Sequence, residues 1–87
     1  MVYLCFYQNE AHRWRLKGNE ILKEDNYEFA VECYSLAIGY APLDDIKCLG
    51  ILHSNRSLAY FREKQFKNAK EDGERCLKYR PEWSKVC

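Results

Sequence analysis

Apolar and polar residues recur along the middle of this chain with the period of an α-helix, and short polar breaks divide the pattern into four stretches. From Glu10 to about Glu24, Trp14, Ile21 and Leu22 recur with the small Ala11 and Gly18 at spacings of three, four and seven, which is one face of a helix. The break "EDNY" follows, where Asp25 and Asn26 can supply a turn and the cap of the next helix. A second helix is predicted from Tyr27 to Gly39 or Tyr40, with Phe29, Ala30, Cys33, Tyr34, Ala37 and Ile38 facing inward. Pro42 lies just past its end, where it cannot continue the helix. Asp44 or Asp45 can cap a third helix from about Ile46 to Lys64, carrying Leu49, Leu52, Leu58, Ala59, Tyr60 and Phe61. A fourth is predicted from about Phe66 to Tyr79, Pro81 marks its exit, and "PEWSKVC" reads as the first turn of a further helix.

Helix, short turn, helix, proline, and then the same again is the sign of an internal repeat. Superposing Pro42 on Pro81 sets an offset of 39 and pairs Trp14 with His53, Gly18 with Ser57, Ile21 with Tyr60, Ala30 with Ala69 and Ala37 with Cys76. Small residues fall where two helices must approach closely. The expected organisation is an apolar extension over 1–9, a first repeat over 10–44, a second over 45–83 with an insertion near 45–49, and the start of a truncated helix over 84–87.

Composition narrows what such a chain can do. At 87 residues it is one small domain without a generous core. A net charge of +1 provides no global field for a nucleic-acid backbone or an anionic membrane, so no partner of either kind is expected and any charge-based recognition must be local. The five cysteines are odd in number, widely spaced and without a C-x-x-C pair, which suggests neither a disulfide framework nor a zinc site and fits a reducing, cytoplasmic setting. Cys33 and Cys76 fall on apolar faces, as small hydrophobic residues would. The opening "MVYLCFY" is too short for a signal peptide or a membrane span. His12 and His53 have Leu16 and Ser57 four residues on rather than a second ligand, so packing at a surface or groove edge is expected of them and no metal site. The run "REKQFKNAKEDGERCLKYR" mixes charges at helical spacing and reads as a solvated helix face. No nucleophile and base pair, phosphate loop or paired carboxylates appear, so neither an enzyme nor a cofactor is expected.

Trp14, Gly18, Ala30, Tyr34, Ala37 and Pro42 in the first repeat, with Ser57, Tyr60, Ala69 and Pro81 in the second, stand at the spacing of the tetratricopeptide repeat family, which the chain resembles from Ala11 to Trp83. It departs from the family pattern at Lys17 and Ile21, where Leu and Tyr are usual, at Gly73, where an aromatic is usual, and in five added residues. The resemblance implies an all-α, antiparallel helix-turn-helix repeat solenoid of two repeats plus the start of a further helix, whose first helices line a concave groove.

The resemblance also implies a site. A subgroup of co-chaperones in this family holds the extreme C-terminal peptide of cytosolic heat-shock chaperones in a two-carboxylate clamp. Arg15, Asn19, Asn55 and Lys85 fall on four of its positions, with Arg15 where Lys is more usual, and the fifth would fall two residues beyond Cys87. The residue types suit the task. Arg15 and Asn19 are four apart and share a helix face. An Asn amide offers two donors and an acceptor, Arg adds a planar fork for a carboxylate, and Lys adds a point charge. Leu58, Phe61 and Arg62 are expected on the same groove face, with Leu58 and Phe61 forming an apolar pocket for a preceding aliphatic side chain.

A second reading stays open. A repeat cannot bury its apolar face alone, and about three are usually needed. Two repeats and a broken turn could instead serve a structural or assembly role, packing against further repeats or a second copy through apolar surface around Tyr60, Cys76 and Leu77, with the asparagines as solvated bystanders.

Overall fold

The computed structural model describes residues 9–80, and the expectations for the opening segment up to residue 8, Pro81, Trp83, Lys85 and the helix start at 84–87 lie outside them. Four helices make up the described chain, with no strand among them: α1 (Asn9–Lys23), α2 (Tyr27–Tyr40), α3 (Ile46–Arg62) and α4 (Phe66–Tyr79). Each packs on its neighbour in sequence, giving two helical hairpins, α1 with α2 and α3 with α4, joined through α2 and α3. This is the all-α, tetratricopeptide-like hairpin repeat that the resemblance implies.

The two hairpin turns are built alike, 39 residues apart. Asp25 takes φ 62° and Lys64 φ 66°, each in the left-handed region that ends a helix. The next residue reaches back to the carbonyl five before it, Asn26 to Ile21 at 3.3 Å and Gln65 to Tyr60 at 2.8 Å. That bond satisfies a carbonyl with no partner inside the helix. It also explains why α3 stops at Arg62 rather than the predicted Lys64. Asn26 then serves as the N-cap of α2, its side chain accepting from the Phe29 N–H, and Asp45 does the same for α3 through the Cys48 N–H. Gln65 precedes α4 without such a bond.

The core is made of small residues around a few large ones. Ala11, Ala30, Ala37, Ala41 and Ala59 close in on Tyr34, Leu49 and Leu52, and Trp14, Ile21, Leu22 and Ile38 pack against that cluster. Gly18 is part of this arrangement: a Cβ there would lie 2.7 Å from the Tyr34 ring, so the absent side chain lets α1 approach α2. Two apolar expectations need correction. Phe29 is 54% exposed, because the position before Ala30 faces away from α1. Leu58 and Phe61, expected on the groove face rather than in the core, are 41% and 59% exposed. Cys76, on an apolar face by its spacing but at an exposed end in the assembly reading, is wholly buried and is disulfide-bonded, whereas Cys33 and Cys48 are free.

Gly39 gives a simple check on the helix assignment. It lies exposed in the last turn of α2, and a Cβ there would meet nothing within 4 Å. Gly39→Ala is therefore expected to raise stability by about 0.5–1 kcal/mol, because alanine loses less backbone freedom on folding. A higher midpoint in urea unfolding with an unchanged slope is the expected reading.

Candidate functional site

Helix α1 places Arg15 and Asn19 one turn apart on a single face, and α3 brings Asn55 against them from the second hairpin. The Asn55 Nδ2 donates to Asn19 Oδ1 at 3.5 Å, so two residues 36 apart in sequence become one polar pair. The same Asn19 oxygen accepts from the Tyr34 hydroxyl of α2 at 2.5 Å. Tyr34 is wholly buried. Burial pushes its phenol up to about 12, helped by Cys33 and opposed by the Arg15 charge, so it remains a protonated donor at neutral pH. Asn19 Nδ2 makes no hydrogen bond among the described residues and stands free for a ligand.

Arg15 is half-buried and is held by its own helix: its Nη2 lies 3.0 Å from His12 Nδ1. A guanidinium carries only donors, so the imidazole nitrogen must accept and its proton sits on the other nitrogen. Among the described residues Arg15 has no carboxylate partner, in contrast to Arg56 and Arg75. Its charge reaches α3, where burial and the Asp45 charge push the Cys48 thiol up and Arg15 pulls it back. An anion bound here would meet one fixed, uncompensated guanidinium and the Asn19 donors.

A cavity of about 580 Å³ lies between α3 and α4, lined by Asn55, Leu58 and Phe61 from one and by Phe66, Ala69 and Lys70 from the other, among others. Phe61 and Phe66 meet edge to face at its rim, ring centres 5.5 Å apart. Leu58 and Phe61 thus share the cavity with Asn55. Arg62 is exposed at the end of α3 and does not line it. Lys85 lies outside the described residues.

A buried ion cluster corrects the reading of the charged run as a solvated face at one residue, Asp72, while the other charged residues of the run stay exposed or half-buried. Asp72 is wholly buried, and its carboxylate accepts from Arg56 Nε at 2.7 Å and Nη2 at 2.9 Å, from Arg75 at 2.9 Å and from His53 Nδ1 at 3.1 Å. Burial pushes this carboxyl up, but hydrogen bonds from Arg56 and His53, the Arg56 charge and the Arg75 bond together hold it well below the usual range. Arg56 also donates to Ser35 of α2 at 2.9 Å, so the cluster ties the two hairpins together. His53 is likewise buried rather than at a surface or groove edge, stacked on Tyr79 with ring centres 5.7 Å apart. The signal was available in the spacing, since Asp72 falls between Ala69 and Cys76 at three and four residues, on the buried face of α4. His12 and Tyr34 had no such signal as members of a binding site.

No family model matches the chain, and no solved structure matches it. Curated proteins do. The chain is 35% identical over 81 residues to E3 ubiquitin-protein ligase TTC3 of Mus musculus, covering 93% of this chain and 4% of that protein. It is 35% identical over 75 residues to the heat shock protein sti1 homolog of Schizosaccharomyces pombe, covering 86% of this chain and 12% of the relative. It is 35% identical over 78 residues to the Hsp70-Hsp90 organising protein of Plasmodium falciparum, covering 90% and 29%. The chain therefore spans between 4% and 29% of the length of these relatives. No helix among the described residues is long and apolar enough to cross a membrane.

Proposed function

From the premise that this chain is a tetratricopeptide-like helical repeat segment, similar to parts of tetratricopeptide-containing proteins, we propose that it is a peptide-binding module for acidic C-terminal tails. The observation that carries this reading is the Asn19–Asn55 pair, with Asn19 Nδ2 open and Arg15 without a carboxylate partner one turn away among the described residues. A free C-terminus ending in an acidic residue presents two carboxylates close together. It fits a groove that offers amide donors beside a fixed positive fork. Lys85 supplies a second point charge in this reading. Leu58 and Phe61 take the apolar side chain that precedes the terminus, and Arg62 lies beyond them as an outer charge for acidic residues further upstream.

Two relatives whose names join them to heat-shock proteins make the tails of cytosolic heat-shock chaperones the first ligands to try, in a cytoplasmic co-chaperone role without catalysis. A second reading draws on Leu58, Phe61 and Phe66, 41–59% exposed around the cavity: this end could pack on further repeats or a second copy.

The test is a calorimetric titration with a peptide ending in Glu-Glu-Val-Asp, as the free acid and as the C-terminal amide. Saturable binding of the acid, and its loss on amidation, are expected. Binding should also weaken several-fold between about 0.05 and 0.5 M salt, because screening shortens the reach of partly exposed charges. A folded sample that binds neither peptide, or binds without regard to salt, would turn the assignment to assembly.

A further inference from the structure

We propose that Tyr34 is the positioning residue that turns the Asn19 amide so that its N–H donors, and not its oxygen, stand beside Arg15, and so makes this end of the groove prefer a carboxylate over a carboxamide. The inference rests on the peptide-binding reading and deepens it.

An Asn side chain has an acceptor end and a donor end of nearly the same shape, so position alone does not decide what it reads. A pair of such amides has two self-consistent arrangements. In one, Asn55 Nδ2 donates to Asn19 Oδ1. In the other, both amides turn over and Asn19 Nδ2 donates to Asn55 Oδ1. Nothing within the pair selects between them. Tyr34 does, because its hydroxyl is buried, carries a proton that needs an acceptor, and has Asn19 Oδ1 at 2.5 Å. Turning Asn19 over would leave the buried phenol proton without an acceptor, a cost that the arrangement observed avoids. The Asn19 oxygen is thus committed twice, to Tyr34 and to Asn55.

The consequence is chemical. Asn19 offers the groove only N–H donors, next to a guanidinium that also offers only donors. A terminal carboxylate, which only accepts, is matched by both. A terminal carboxamide seated between these two brings an NH2 that finds no acceptor on either, the Asn55 oxygen being the one acceptor that the amide pair leaves open. The ring of Tyr34 stays where it is for a separate reason, its packing against Gly18, so the hydroxyl can be removed without removing the wall it stands on.

Tyr34→Phe is the variant to make, with three readings on the full chain: unfolding in urea, the Asn19 side-chain Cγ and Nδ2 resonances of the free protein, and affinities for the Glu-Glu-Val-Asp peptide as free acid and as amide. The expected result is a folded protein whose Asn19 amide resonances move, and whose preference for acid over amide falls about tenfold as the freed amide turns to suit either ligand. A folded variant that keeps the full preference, or whose Asn19 resonances do not move, overturns the role of Tyr34 and leaves the peptide-binding reading standing. An unsubstituted chain that binds neither peptide ends that reading, and this inference with it. If Tyr34→Phe does not fold, the unsubstituted chain still decides. Strong nuclear Overhauser contacts from the Tyr34 ring edge to both Asn19 Nδ2 protons would place the nitrogen against the phenol and overturn the assignment, and contacts only from the Asn55 amide would support it.

Discussion

Asp72→Ala is expected to remove about 3–5 kcal/mol of stability, because it strips the buried carboxylate that Arg56, Arg75 and His53 share among the described residues. Arg56, with 16% of its side chain exposed, would be left without its charge partner, and His53 Nδ1 without its acceptor. For a chain this small the whole folding free energy is about 4–13 kcal/mol, so the variant should lose a large share of its stability. Urea unfolding followed by circular dichroism is the direct check, and an unchanged midpoint would mean that the cluster contributes little. The unsubstituted chain should show the same dependence through pH. The Asp72 carboxyl is held below its ordinary value of 3.8, so its contribution to stability is complete above that value and is lost as the pH falls below about 4 toward the folded-state value. An unfolding midpoint that stays flat from pH 6 to about 3 would contradict this.

The second large effect concerns binding, and the geometry separates two substitutions that the sequence motif treats as equivalent. Asn55→Ala and Asn19→Ala should each weaken binding of an acidic free C-terminus by about 2–4 kcal/mol, or about 30- to 1000-fold, through lost hydrogen bonds to a charged group. Their effects on stability should differ. Among the described residues Asn55 makes one long bond, at 3.5 Å, and satisfies no buried group. Its removal should leave the unfolding midpoint almost unchanged. Asn19 is the acceptor for the buried Tyr34 hydroxyl, and its removal should cost about 1–3 kcal/mol of stability besides. Paired measurements of affinity and unfolding therefore distinguish a groove residue from one that also supports the fold, and equal stability losses for the two would contradict the Tyr34 bond.

Much of the fold was legible because helices and turns depend on near neighbours. Spacing placed Ala30, Cys33, Tyr34 and Ala37 on one buried face, and Asn26 and Asp45 appear as caps where a short acceptor side chain precedes an apolar period. What misled the reading was the assumption that charge means exposure. Asp72 is the most deeply buried charged residue in the described chain, and only Arg56, His53 and Arg75, arriving from α3 and from its own helix, make that tolerable. Leu58 and Phe61 are the reverse case: apolar and yet 41% and 59% exposed, they line the cavity between α3 and α4 rather than the core.

The candidate site divides in the same way. The sequence by itself determined the four helices, their repeat at an offset of 39 and the presence of Arg15 and Asn19 on one helix face, since each follows from the helical period and from caps a few residues away. Only the tertiary structure decided that Asn55 meets Asn19, that His12 holds Arg15 without neutralising it, and that a buried tyrosine fixes the direction of an amide. Hydrogen bonds between helices depend on which side chains packing brings within about 3 Å and which it removes from water, and no local pattern along the chain encodes either.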